Sequence, residues 1–311
     1  MYTQSENNLS RPRYPETWVV QCIEKGRVIL TEWNHSMIRG ALVFWCIVYC
    51  LRNRAAPWCF FQLNRDYFNT TKNIFSKLDM DHCIPEKWRL GQCEDDGLIV
   101  PEFPVFLKPE WGQNAHGIFF IRNGNELHQA RKERVVQRTS YLLQQPAKEK
   151  REYELFYIRS ADDPQSCGLL SVTEVNNRSQ RGPVINSVHN KDSNYLDITT
   201  DFTSAEQDSL WEMLKDVGNF RIARVGLRAD SKQDLLLGNF HIIEVNIFIP
   251  FPLILLDKGI SIKAKYEFVR KSMALAAHSV AALPPREVQH SIFFRQLIAH
   301  YKVKGWKHLN G

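Results

Sequence analysis

Apolar residues cluster along this chain in short runs bounded by Gly, Pro, Asn and Asp, the pattern of strands rather than of long helices. Pro104–Pro109 reads as a buried strand ending in a turn, and Gly117–Arg122, bounded by Asn123-Gly124, reads as a second. Together they predict a hairpin around a Gly-containing loop. Tyr141–Gln145, Tyr153–Arg159, Leu169–Val175, Phe220–Arg228 and Phe240–Ile247 carry further strand patterns, the last two separated by turn-rich Asp230-Ser-Lys and Gly238-Asn pieces. Helical spacing is rarer. Phe68, Ile74, Phe75 and Leu78 predict a short helix over Asp66–Leu78 that carries Lys72, and Glu126–Val136 predicts another. Thr203-Ser-Ala-Glu206 is a capping-box pattern, which starts a helix running to about Val217. Lys263–Ala282 is the clearest helix, closed by Pro284-Pro285.

The 311 residues exceed the usual single-domain size, so one large unit or two to three interlocked ones are expected. Residues 1–15, rich in Asn, Ser, Arg and Pro, read as a disordered lead-in, and residues 16–62 as a small, aromatic N-terminal unit. Within that unit Gly40–Leu51 is apolar but too short to span a bilayer, which takes roughly 20 residues. It is a buried helix or strand, or an interfacial segment. Arg39, Arg52 and Arg54 suit residues 39–54 to weak contact with an anionic membrane surface, although core packing is the commoner fate of such a run.

A net charge of +6, from 40 Lys and Arg against 34 Asp and Glu, suits an anionic small ligand as well as it suits nucleic acid. The two signs are interleaved and no nucleic-acid module is present, so nucleic acid is not an expected partner. Seven cysteines without C-x-x-C spacing argue against a disulfide scaffold or zinc ribbon. With no signal-peptide pattern, a cytoplasmic protein is expected.

Lys108-Pro-Glu-Trp-Gly-Gln-Asn-Ala-His-Gly117 lies between two strands, so it is not a P-loop, which opens a helix. A lysine at a strand end beside a small-residue loop can form an anion nest, though a hairpin of this composition is more often plain turn chemistry. Further on, Glu244 and Asn246 stand two apart in a strand and so share a face. Their oxygens are of the kind Mg²⁺ takes beside phosphates. An edge strand whose polar side meets water would carry the same pattern. A Glu buried in an apolar strand is expensive without a partner, which puts a cation or an Arg beside Glu244. Neither a G-x-S-x-G nor a Cys/His signature occurs.

The ordered set Lys72, Phe103–Ile118, Leu142–Gln145, Glu152–Tyr157, Arg224 and Ile243–Asn246 resembles the ATP-grasp superfamily. It looks most like its D-alanine–D-alanine ligase-like branch and uncharacterised bacterial ATP-grasp proteins, over roughly residues 60 to 280. The resemblance implies an α+β ATP-grasp fold: subdomains at 63–140 and 141–283 that sandwich ATP, with 284–311 as an extension. It also implies Lys72 and Lys108 at the phosphates, and Gly112, Gln113, Asn114, Ala115, His116 and Gly117 as the phosphate lid. Gln144 and Gln145 would form the adenine hinge, Glu152 would bind ribose, and Arg224, with Lys108, would act on the transferred phosphoryl group. Glu244 and Asn246 would hold Mg²⁺. Family members carry an acidic ligand two residues beyond the arginine; Gly226 stands there, which leaves Asp230 or water to substitute, or a metal held weakly. The implied activity is ATP-dependent carboxylate–amine, more rarely thiol, ligation of small carboxylate and amine substrates through an acylphosphate, or else a degenerate fold that binds nucleotide without turnover. Arg159 and Thr173 are secondary cleft candidates.

Overall fold

Two antiparallel sheets take up the apolar runs. In the computed structural model, which describes residues 36–112, 117–134, 140–177, 190–284, 292–296 and 298, the chain is α+β as expected. β1 (Gln92–Glu94), β2 (Val105–Pro109), β3 (Phe119–Ile121) and β4 (Tyr141–Gln144) form a sheet of order β1-β4-β2-β3. β5 (Arg151–Arg159), β6 (Cys167–Asn177), β7 (Ser193–Asp197), β8 (Ile222–Ala229) and β9 (Phe240–Asn246) form a second, of order β7-β6-β5-β8-β9. The expected hairpin is present, with Val105 opposite Ile121. β4, expected to open the second subdomain, pairs instead with β1 and β2. The break between the sheets therefore falls in 145–150.

β5 shows how the sequence divides the labour of one strand. Tyr153, Leu155 and Tyr157 point into the main core, where α4 (Ser204–Lys215) contributes Leu210, Trp211 and Leu214. On the opposite face the alternate positions change character along the strand. Phe156 and Ile158 pack with Val269, Met273 and Ala276 of α6 (Ile262–Ala281), whereas Glu152 and Glu154 face a cavity. Period-two alternation thus delivers two carboxylates to one wall.

α1, described over 36–52, resolves the reading of the apolar run: it is a helix that gives only one side to the core. Cys50 is fully buried, while Val43, Phe44 and Leu51 are exposed. Among the described residues no helix is long and apolar enough to cross a membrane. The helix expected over Asp66–Leu78 does not form. Asn69 Oδ1 accepts the backbone N–H groups of Thr71 and Lys72 at 3.1 and 2.9 Å, and Asn73 turns the chain with φ 57° before a bridge pairs Asn69 with Ile74. An Asn side chain competing for local N–H groups favours a turn over a helix. The helix begins later, as α2 (Lys77–Cys83), capped by Ser76, whose Oγ accepts from Asp79 N. α3 (Gly124–Glu133) and α4 lie where expected, the latter with its capping box complete. α5 (Lys232–Leu237), N-capped by Ser231 and closed by Gly238 at φ 76°, occupies what read as turn.

Asn64 ties this frame together. Its Nδ2 donates to Ile222 O at 2.7 Å and Ile247 O at 2.8 Å, and its Oδ1 accepts from Arg221 N at 2.8 Å, so one buried side chain holds the start of β8 and the exit of β9. Asn64→Ala orphans two buried carbonyls and an N–H, and is expected to cost about 2–3 kcal/mol, read as a shift in the urea midpoint at unchanged m-value.

Candidate functional site

A cavity of about 640 Å³ is walled by strands of both sheets and by α2. Its lining is apolar at Leu90, Phe106 and Phe120, and charged at Lys77, Lys108, Glu152, Glu154, Arg224 and Glu244. Apolar walls with a few convergent polar groups are the usual make-up of a ligand site.

Lys108 is buried on β2, and its Nζ donates to Gln144 Oε1 on the paired strand at 2.8 Å. Burial, with Lys77 close by, pushes its ammonium down to about 7 against the opposing pull of Glu244 and Asp81. Lys77 enters from the first position of α2, and burial lowers its proton affinity too, with Glu244 opposing. Two cations held in an apolar setting without a carboxylate in contact are arranged to receive an anion.

Across from them β8 and β9 present the acids. Arg224 and Asn246 are register partners, as are Gly226 and Glu244. Arg224 Nε lies 3.2 Å from Glu154 Oε2 and its Nη2 3.6 Å from Glu244 Oε2, so the guanidinium expected beside Glu244 is there. Burial works against the Glu244 charge, but Lys77, Arg224, a hydrogen bond from Asn246 and Lys108 together hold its carboxyl below the ordinary range. Glu154 goes the other way: burial raises it to about 8, Arg224 opposing and Glu152 and Glu244 adding to the rise. Glu152 stands 3.5 Å from Arg228 Nη2.

Lys108, Gly112, Gln144, Gln145, Glu152, Arg224, Glu244 and Asn246 all line this one cavity. Gln113, Asn114, Ala115 and His116 lie outside the described residues. Gly117, at φ 78° and with Tyr141 Oη 3.2 Å from where a Cβ would sit, turns the chain into β3. Lys72 is a correction. It is not among the residues that line the cavity; its ammonium lies 2.8 and 2.9 Å from the oxygens of Glu110, a carboxylate that does line it. Asp230 is a second correction. β8 has ended by that point, and Asp230 accepts from Lys150 N at 3.0 Å in a separate cleft with Glu149 and His241. Arg159 is a third: it is structural, donating to Phe220 O and Gly218 O and lying over the Trp211 ring. Thr173 is buried and also off the cavity.

Arg39, Lys77, Glu110, Glu154 and Arg228 are cavity charges that sequence reasoning did not place there. Glu154 carried a signal, since it shares the face of Glu152 two residues away. Lys77 carried one only if Ser76 is recognised as the cap.

The residues suit a magnesium nucleotide in charge and in vacancy of bonding. Glu154 Oε2 and Arg224 Nε, ion-paired at 3.2 Å, make no well-aligned hydrogen bond to each other or to another described group. Among the described residues no group of three His, Cys, Asp or Glu is arranged to hold a metal ion, so the donors present are fewer than a protein-only cage requires. Mg²⁺ bound together with phosphates takes only one or two carboxylates from the protein.

No protein-family model matches the chain, and no curated protein does. Among solved structures it is similar to an L-amino acid ligase from Bacillus licheniformis at 15% identity and TM-score 0.38, over 56% of this chain and 40% of that one. It is similar to a D-alanine–D-alanine ligase from Helicobacter pylori at 13% and 0.39, over 67% and 58%. To the D-alanine–D-alanine ligase from Bacillus anthracis the values are 10% and 0.42, over 72% and 68%. The chain thus spans less than two thirds of the first two proteins it matches.

Proposed function

We propose that the cavity binds ATP with Mg²⁺ in the ATP-grasp manner, and that the chain is a carboxylate–amine ligase. The observation that carries this is the meeting of Lys77 and Lys108 with the Glu244/Asn246 pair in one cavity, from elements far apart in sequence. The two lysines neutralise phosphate oxygens as point charges, which suits a triphosphate that changes geometry as it reacts. Gln145, Pro146 and Ala147, in the connection between the sheets, border the base together with Leu90 and Phe106. Glu152 accepts the ribose hydroxyls, kept in place by Arg228.

Mg²⁺ supplies charge neutralisation at the phosphate oxygens when bound. The chain's own part is to orient Arg224 toward the transferring phosphoryl group and to keep the site dry, which strengthens each electrostatic contact. In this proposal a substrate carboxylate displaces ADP from the γ-phosphoryl group, and an amine then displaces phosphate from the resulting acylphosphate. No protein nucleophile is needed.

The decisive experiment is acid- and amine-dependent ADP release with Mg²⁺ over a panel of amino acids. Stimulated release, lost in Lys108→Ala, is the expected result. ATP that raises the melting temperature while no acid or amine stimulates hydrolysis would favour the second reading, a nucleotide-binding protein without turnover, for which Gly226 is the specific observation.

A further inference from the structure

Glu154 is a cavity carboxylate for which the nucleotide has so far supplied no task, and unlike Glu110, which Lys72 and Ser76 take up, it faces the Glu244 side. It lies on β5 directly opposite Gly226 on β8. A Cβ built on Gly226 would stand 3.1 Å from Glu154 Oε1, 3.3 Å from Cδ and 3.4 Å from Oε2. The glutamate carboxylate therefore fills the volume that any side chain at 226 would need. Glu154 is 7% exposed, lines the cavity with Glu244 and Asn246, and its Oε2 is ion-paired to Arg224 Nε at 3.2 Å without a well-aligned hydrogen bond. A buried carboxylate has more lone pairs than one such contact uses, and a second cation can take the others.

We infer that Glu154 is an oxygen donor to the nucleotide's divalent cation, reaching across the β5–β8 pair to the place that a carboxylate at position 226 would hold. This rests on the proposal that the cavity takes a magnesium nucleotide. Gly226 is then the compensating half of a relocated carboxylate. The carboxylate then stands one strand sideways within the sheet from position 226, where glycine leaves it room. Arg224 bridges the set, 3.2 Å from Glu154 and 3.6 Å from Glu244, so the two acids are held apart by a guanidinium rather than by each other's repulsion. Glu244, Asn246 and Glu154 then supply two carboxylates and a carboxamide, a protein share that leaves the remaining positions to phosphate oxygens and water.

The alternative is that Glu154 serves only as counter-ion to Arg224. Mn²⁺ binding to the full chain, followed by the electron paramagnetic resonance signal of free Mn²⁺ with a non-hydrolysable ATP analogue present, separates the two. Glu154→Gln is expected to weaken Mn²⁺ by roughly tenfold to a hundredfold, comparable with or above the loss of an outer-shell partner. Affinity for the analogue without metal is expected to stay within about twofold, on the ground that Lys77 and Lys108 hold the phosphates. Adding Gly226→Asp to Glu154→Ala, which clears the space beside position 226, is expected to restore most of the Mn²⁺ affinity that Glu154→Ala loses. The loss is also expected to persist in an Arg224→Gln background. Unchanged Mn²⁺ binding in Glu154→Gln, no restoration on relocating the carboxylate, or a loss that vanishes once Arg224 is replaced would each overturn the inference. Should Glu154→Gln not fold, Glu154→Asp, which keeps the charge and shortens the reach, decides: reduced Mn²⁺ affinity supports the inference and wild-type affinity ends it. A wild-type chain that binds no analogue at all removes the nucleotide proposal itself, an outcome distinct from normal nucleotide binding with Glu154 irrelevant to Mn²⁺.

Discussion

Lys108→Met is expected to weaken ATP binding by roughly a hundredfold near neutral pH, on the order of 2–3 kcal/mol, while leaving the folded state as stable or more so. The two halves of that expectation have one cause. The Lys108 ammonium is buried on β2 and touches only the neutral Gln144 carboxamide within hydrogen-bond range. Folding therefore costs the charge its water and returns little, and a methionine of similar length avoids that cost. A triphosphate supplies what the protein withholds. The pH dependence follows with a definite sign. In the free protein Lys108 gives up its proton near 7, whereas an unfolded lysine keeps it to 10.5. Between those limits the unfolded chain binds more protons, so stability rises with pH, and below 7 the whole penalty is present. Nucleotide binding reverses this. It requires the ammonium, so it takes up a proton above pH 7, and affinity falls by up to about tenfold per pH unit. Lys108→Met removes that slope. Calorimetry in buffers of different ionisation enthalpy reads the proton uptake directly. An equal slope in wild type and variant would mean that Lys108 is not the group concerned. Lys77, whose proton affinity burial also lowers, is expected to couple with it, so the double variant loses less than the sum of the two single losses.

What could be read in advance was whatever depends on short-range pattern. β2, β3, β4, β5, β6, β8 and β9 announced themselves because each alternates or runs apolar between turn residues. With those strands came Lys108, Gln144, Glu152, Arg224, Glu244 and Asn246, since a side chain on a strand inherits its direction from parity. The misses sit where parity stops. Lys72 looked helical because Phe68, Ile74 and Phe75 have helical spacing, yet a tight Asn69–Ile74 turn brings Phe68 and Phe75 together in the same core. Asp230 was one step past the end of β8, where direction is set by the turn and not by the pleat. β1 carries Gln-Cys-Glu, and its pairing with β4 is a long-range choice that three such residues cannot signal. The pairing of Gly226 with Glu154 was invisible for the same reason. It joins positions 72 apart in the chain that become neighbours only when β5 and β8 pair.

Arg224→Met is expected to be the most destabilising single replacement in the cavity, by about 3–5 kcal/mol above pH 8, where Glu154 as well as Glu244 is ionised in the wild type, because it strands buried carboxylates rather than merely deleting a contact. The guanidinium lies within ion-pair distance of both Glu154 and Glu244, and its side chain is only 16% exposed. Replacing the whole set by apolar residues would be nearly neutral; removing the one cation between two acids is not. The loss should grow as pH rises. Without Arg224 both carboxyls move up from where they stand, Glu244 from below the ordinary range, where Lys77 still holds it down, and Glu154 from about 8. A carboxyl raised in the folded state binds more protons there than in the unfolded chain, so its contribution to stability is intact below the unfolded value and falls as pH climbs through the folded one. The Glu154 part of the gap opens above pH 8, where the wild-type carboxyl ionises and the variant's does not, so urea midpoints at about pH 7 and about pH 10 should separate the two far more at the higher pH. Arg224→Lys, which keeps the charge and loses the fork, should recover part of the difference. A pH-independent loss would indicate that Arg224 stabilises by packing, and that Glu154 and Glu244 do not depend on it for their charge. Adding Mg²⁺ with an ATP analogue to Arg224→Met supplies a second test of the same arrangement. A cation seated between the acids should narrow the gap to wild type, by an amount set through its affinity for the folded form alone.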